Sequence, residues 1–422
     1  MSQIEKNLLV DFILCICGLC LFTTEQINRS LADPFFPLEA QSKGLSQTEI
    51  GLVTGCIDVA NALFAFVIPY FVTKNNKCLI FCLGSFMMGL STMIFGQLTH
   101  ISNHWAFLSS AIFFQILTGI SLSMVWATGY VTLSSIRPEW SGRIVAGIES
   151  ALAIGGIIGP LISAALFKIG GYFLPFAVAG LIETFAGFIF YVIYIRLTSQ
   201  ANEDSKAKED QSLLSFASRP TLYVVASPCL LVAIGKSFNS ATISLHLSSV
   251  YNLNTEYIGP FFFAPQMLGY SIFGFIAGWG VDKGYALLIS YIGFCHFAAT
   301  FLIYSLPLPL YFNMIASVSF GIFTSCGFIP LFQHIAKWAT SQGFTSETKI
   351  KVLTSSFVNM YYGLLRFFGS LIFGGVVVEY LGFYEASTII LCFVVIPVTA
   401  FSFYYIKIYY NVKHEENINA SP

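Results

Sequence analysis

The sequence predicts an all-α membrane protein of 12 transmembrane helices in two pseudo-symmetric six-helix bundles. Three observations carry that prediction: an oily composition cut into span-length runs, a one-sided distribution of Lys and Arg, and a repeat of the first half in the second. Of the 422 residues, 56% are hydrophobic and 10% charged, against about a quarter charged in soluble domains. A helix needs about 20 apolar residues to cross a bilayer. Such runs fall at 8–37, 46–72, 78–98, 105–135, 143–168, 171–196, 221–250, 255–280, 284–306, 309–337, 350–380 and 383–410. Several are longer than a bilayer needs, which predicts tilt, kinks or turns outside it. The net charge of −1 leaves no basic footprint for nucleic acid.

The opening stretch, "MSQIEKNLLVDFILCICGLCLF", has no basic leader or small-residue cleavage site and reads as the start of the first span. The one long hydrophilic connection is "LTSQANEDSKAKEDQSLLSFASRP" at 197–220. It divides the chain into a six-helix bundle at 1–196, a cytoplasmic linker at 197–220, a second bundle at 221–410 and a cytoplasmic tail at 411–422. With both termini cytoplasmic, 15 of the 20 Lys and Arg fall on the inner side and two, Lys43 and Lys168, on the outer. That is the bias expected of cytoplasmic loops. The ten cysteines lie in apolar runs or at a span edge, so no structural disulfide is expected. Cys15, Cys17 and Cys20 imitate a metal spacing but read as small packing residues; no metal and no cofactor is expected.

The halves repeat. "LSQTEIGLV" (45–53) aligns with "LNTEYIGPF" (253–261) at an offset of 208, and "FKIGGYFLPF" (167–176) with "VEYLGFYEAS" (378–387) at 211. Two parallel halves with a site between them near mid-membrane are an arrangement used by alternating-access carriers.

Several stretches carry a family resemblance. "GFIAGWGVDKG" (274–284) resembles the Gly-x3-Gly-x3-Asp-Lys-Gly turn of the major facilitator superfamily, in which Asp282 would cap a neighbouring helix. Its first-half copy has Lys74 in place of the aspartate. "GGIIGPLISA" (155–164) resembles the fifth-span signature of proton antiporters through Gly155, Gly159 and Pro160, residues that pack and bend a helix. Ser163 and Ala164 replace that signature's final glycine pair. "PFFPLEAQSKGLSQTEIGLVTGC" (34–56), "GIESALAIGGIIGP" (147–160), "IPLFQHI" (329–335) and "QGF" (342–344) are similar to the vesicular amine transporters, in particular their polyamine branch. That resemblance implies proton-coupled exchange of an organic cation.

Ionisable residues within the membrane are functional candidates by default. Glu25, Arg29 and Asp33 stand at four-residue steps and share one helix face. Arg29 can be flanked by both carboxylates. Asp33 precedes Pro34, which reads as an N-cap where a helix restarts. The resemblance places Glu25 at the acidic position nine residues before a Pro-x-x-Pro, here Pro34 and Pro37. Glu25 is therefore either a cation or proton site or a structural partner of Arg29. Glu149 lies above the fifth-span signature, in a context that matches the polyamine branch; it is either a coupling site or one half of an ion pair. Asp58 stands where relatives have an apolar residue, Asn61 where the branch has a carboxylate, and Gln115 where the superfamily has an arginine. Lys236 and Arg366 either neutralise Glu25 or Glu149 in one conformation, as a gate, or mark an anionic substrate. Glu183 reads as partnered or at the lipid interface. Trp126, Tyr130, Tyr270, Tyr361 and Tyr362 are the aromatic candidates for a cavity wall.

These residues point to a proton-coupled antiporter of an organic cation, a polyamine or monoamine. Two alternatives stay open: a uniporter or symporter of an anionic or neutral solute, and a sensor that binds without transport. No nucleophile–base pair suggests an enzyme. Beyond solute, protons and lipid, the sorting form "EDQSLL", with Glu209, Leu213 and Leu214, suggests vesicle adaptors as partners.

Overall fold

The computed structural model describes residues 3–73, 76–198, 216–344 and 347–406. Lys74, most of the linker, the adaptor residues Glu209, Leu213 and Leu214, and the tail lie outside them. All regular elements among the described residues are helical. The first bundle holds α1 (Gln3–Ser42), α2 (Gln47–Phe71), α3 (Lys77–Gln97), α4 (His104–Ile136), α5 (Ser141–Gly170) and α6 (Phe173–Thr198). A short helix, Pro220–Val225, leads into α7 (Ser227–Tyr251). Then come α8 (Thr255–Asp282), α9 (Ala286–Tyr304), α10 (Leu310–Ser341), α11 (347–381) and α12 (Phe383–Ile406).

Among the described residues, 11 of these helices are long and apolar enough to cross a membrane, and the exception is α7. At 25 residues α7 is long enough, about 37 Å at 1.5 Å per residue. Its Ser, Thr and Asn residues and Lys236 make it too polar by composition. Burial resolves the conflict: from 227 to 247 every residue except Leu230 and Lys236 is buried. A helix wrapped by other helices has no lipid face to keep apolar.

The repeat appears in the backbone. Gly44, between α1 and α2, has φ 82°, and Asn252, 208 positions later between α7 and α8, has φ 51°. Gly171 and Gly382, 211 apart, have φ 65° and 96°. Each pair ends one helix and aims the next, using residues that tolerate left-handed backbone.

α1 departs from the sequence expectation. Pro34 and Pro37 lie inside one continuous helix, so Asp33 is not an N-cap. Pro37 has no N–H for the carbonyl of Asp33 four residues earlier. Ser244 of α7 fills that vacancy, its hydroxyl donating to the Asp33 carbonyl at 3.0 Å. The second bundle therefore satisfies the backbone defect of the first, and no helix restart is needed.

Small residues set helix contacts. A Cβ at Gly155 would lie 2.5 Å from the Thr23 carbonyl, and one at Gly159 2.5 Å from Ser30 Oγ, so both glycines let α5 close on α1. In the second bundle a Cβ at Gly321 would fall 2.0 Å from the Gln266 carbonyl, between α10 and α8. Gly321→Ala is expected to destabilise the fold by about 1–3 kcal/mol. A lowered thermal midpoint in detergent would register this; an unchanged midpoint would refute the contact.

The bundles meet at the end carrying the α1–α2 turn. Gln47 Nε2 donates to the carbonyls of Ala241 (3.2 Å) and Gly374 (2.7 Å). The Thr48 backbone N–H donates to Glu379 Oε2 at 2.7 Å. Thr54 and Ser370 hydroxyls lie 2.5 Å apart. At that seam α11 changes from α-helix to a π-helical stretch, Gly369–Val377. Such stretches locally widen a helix and are frequent at functional sites.

Candidate functional site

Between the bundles lies a cavity of about 80 Å³, room for a few water molecules. α1 contributes Asn28, Arg29 and Asp33; α7 contributes Lys236 and Ser240; α11 contributes Arg366. Gln115 and Thr118 of α4 and Gln266 of α8 add polar groups to the wall, and Pro160 of α5 with Phe36, Phe95, Phe176 and Phe263 adds apolar ones. Gln266 was not foreseen, because an uncharged side chain gives no warning in an oily sequence.

The expected Arg29 pairing is replaced. Instead of a bond to Glu25 or Asp33, Arg29 Nη2 lies 3.7 Å from Asp58 Oδ1 on α2. The same oxygen accepts a hydrogen bond from Arg366 Nη1 at 3.0 Å. Asp58 is 2% exposed and Arg366 7%. One carboxylate thus serves two guanidiniums, one from each bundle. Arg366 also lies over the Tyr362 ring at 5.8 Å.

Asp33 accepts a hydrogen bond from Ser240 on α7. Lys236 reaches the cavity with no hydrogen bond or ion pair among the described residues. Neither Lys236 nor Arg366 neutralises Glu25 or Glu149 in this conformation. The ionisable wall is three cations against Asp33, with Asp58 behind.

Glu25 and Glu149 stand away from this wall, on neutral donors. Glu25 is 0% exposed, and Trp126 Nε1 donates to its Oε1 at 3.4 Å. Tyr130 Oη donates to Glu149 Oε1 at 2.9 Å. Glu149 is exposed and lies within electrostatic reach of Tyr270, on the second bundle. The five candidate aromatics therefore do not line the cavity. Trp126, Tyr130 and Tyr270 attend the carboxylates, Tyr362 attends Arg366, and Tyr361 stacks on Phe357 at 5.4 Å. Composition cannot rotate a helix, so the sequence could not separate these places.

Asn61 is not in the wall; its Nδ2 lies 3.5 Å from Asn359 Oδ1 across the bundle seam. Asp282 is exposed at the end of α8 and makes no hydrogen bond or ion pair among the described residues. Pro160 lines the cavity, and its carbonyl would stand 2.7 Å from a Cβ at Gly259, so α5 and α8 also touch across the seam. Glu183 on α6 is 0% exposed and accepts from Thr24, far from the lipid-facing placement considered for it.

Two helical bundles, a repeat and a charged cavity between them make a carrier frame. The Major Facilitator Superfamily model matches residues 14–370. The chain belongs to this superfamily. Its frame is that of a secondary transporter. Over 398 residues it is 23% identical to the human MFS-type transporter SLC18B1, covering 92% of this chain and 85% of that protein. Among solved structures it is similar to a bacterial homologue of the human lysosomal transporter Spinster, in an inward-facing and occupied conformation. That match has a TM-score of 0.71 and 16% identity and covers 94% of this chain and 96% of that one. The nucleoside transporter NupG matches with a TM-score of 0.70 and 12% identity, over 93% and 98% of the two chains. At these identities the solved structures speak for the superfamily fold alone.

Proposed function

We propose that this superfamily member is a proton-coupled antiporter that moves an organic cation by alternating access. One observation carries the reading: Glu25, buried within the first bundle, and Glu149, facing the second, are held by Trp126 and Tyr130 rather than by Lys or Arg. A carboxylate without a fixed cation accepts either a proton or an ammonium group, and exclusive occupancy couples the two flows. The aromatic faces of Tyr130 and Tyr270 near Glu149 suit a cation. The vesicular amine resemblance and the match to SLC18B1 support the same substrate class. With cytoplasmic termini, the sealed α1–α2 end is the outer one, and this conformation faces the cytoplasm.

A second reading has its own support. The cavity wall itself carries Arg29, Lys236 and Arg366 against Asp33, which suits a solute with an anionic group. Reconstitution in sealed liposomes with an imposed pH gradient separates the two. Spermidine, a monoamine and an organic anion are added in turn while internal pH is followed. Proton efflux driven by an amine and lost in Glu149→Gln is the expected result. A response to the anion alone would transfer the assignment to Lys236 and Arg366, and binding without flux would indicate a sensor.

A further inference from the structure

The N-terminal bundle contains a second buried carboxylate that the cavity does not use. Glu183, midway along α6, is 0% exposed. Thr24 Oγ1 donates to its Oε2, while its Oε1 has no hydrogen-bond partner. Thr24 immediately precedes Glu25, which brings both carboxylates to the α1–α6 contact, within electrostatic reach of each other. Glu25 Oε2 is also buried without a partner.

The surroundings supply almost no positive charge. On α1 the nearest cation is Arg29, one turn beyond Glu25, and its ion pair is with Asp58. From α4, Trp126 donates to Glu25, and Tyr130, whose hydroxyl donates to Glu149, stands within electrostatic reach; both are neutral. From α3, Ser85 lies beside Glu183, and Cys82 is occupied with Cys78 at 4.0 Å. Among the described residues of α5 and α6, no Lys or Arg forms an ion pair with either carboxylate. Two ionised carboxylates in one dry site repel each other and lack counter-ions. A single proton taken up by either one removes the repulsion and neutralises one orphaned oxygen.

The site also communicates with the cavity. Asn28 Nδ2 donates to the Thr24 carbonyl at 2.9 Å and to the Ala179 carbonyl of α6 at 3.3 Å. The same Asn28 is part of the cavity wall, and its Oδ1 is buried and unpartnered.

We propose that Glu183 and Glu25 together hold one exchangeable proton, and that this carboxylate pair, outside the cavity wall, is the proton carrier of the transport cycle. This rests on the proton-coupled reading above. It adds a residue, Glu183, and replaces competition for one carboxylate with a division of labour: the proton is carried within the N-terminal bundle by Glu25 and Glu183, and solute is bound between the bundles.

The test uses full-length protein in liposomes and two assays with radiolabelled spermidine. One is accumulation driven by a pH gradient; the other is counterflow, in which labelled and unlabelled spermidine exchange with no net proton movement. Glu183→Gln keeps an oxygen acceptor for Thr24 and removes the titrating group. The expected result is loss of gradient-driven accumulation with counterflow retained, and restoration of accumulation in Glu183→Asp. Wild-type accumulation in Glu183→Gln would overturn the proposal. So would parallel loss of both assays in a Glu183→Gln protein that is folded by size exclusion, since that marks a structural role. If Glu183→Gln does not fold, the pH dependence of Glu183→Asp decides: a shifted pH dependence of accumulation with counterflow unchanged supports the carrier, and a wild-type pH dependence overturns it. Wild-type protein that shows counterflow but no accumulation under the pH gradient would instead refute the proton-coupled reading itself.

Discussion

Arg366→Leu is expected to abolish transport and to destabilise the protein by about 3 kcal/mol, the low end of the cost of breaking a buried ion pair. The reason lies at Asp58. That carboxylate is 2% exposed and depends on two guanidiniums, Arg366 at 3.0 Å and Arg29 at 3.7 Å. Removing Arg366 takes the closer one and leaves Asp58 Oδ2, already without a hydrogen-bond partner, in a dry seam. Arg29 holds what remains, which keeps the cost from the upper end of the range. Asp58→Asn has the opposite defect, two guanidiniums facing one another across an amide. The double variant Asp58→Asn/Arg366→Gln removes one charge of each sign and is expected to recover folded yield but not transport. Fluorescence-detected size exclusion and liposome uptake read the two effects separately. Full stability in Arg366→Leu would mean that the ion pair does not join the bundles.

The frame was readable from the sequence because lipid imposes a simple rule. Lipid-facing helices must be apolar over about 20 residues, and the span pattern shows it. The repeat was readable because turns restrict residue choice: Gly44 and Asn252 both occupy left-handed backbone. Even α7 shows as the run at 221–250, although its polar residues take it below the composition of the other spans. The charge pairings were not readable. Helical spacing placed Glu25, Arg29 and Asp33 on one face, and that invited local pairing. Spacing along one helix gives no information about the distance to α2 or α11, and Asp58 won Arg29 from across that gap. Glu183 was undervalued for a related reason. Its intramembrane carboxylate was the signal, but its partner, Thr24, is 159 positions away and uncharged.

Gly51→Ala is expected to bias the carrier away from this conformation by about 5- to 150-fold, the population equivalent of 1–3 kcal/mol. A Cβ at Gly51 would fall 2.5 Å from the Ser370 carbonyl and 2.9 Å from Gly375 Cα. Both neighbours are backbone and belong to the opposite bundle, so no side chain can swing aside. Ser370 Oγ also donates to the Gly51 carbonyl at 2.8 Å, which ties the two backbones at this point. The penalty of overpacking, about 1–3 kcal/mol, is paid only while the α1–α2 end is closed. A state in which the bundles part there escapes it, and a two-state equilibrium moves by the difference. Gly321→Ala is the matched control, because its clash lies within one bundle and penalises both states. Spin labels at Gln41 and Glu385, on opposite bundles at the sealed end, would report the separation in a cysteine-free background. A longer distance population in Gly51→Ala, absent in Gly321→Ala, is the predicted result. An unchanged distance with only lowered stability would show that the seam at Gly51 stays packed throughout the cycle, and alternating access would then have to pivot around it.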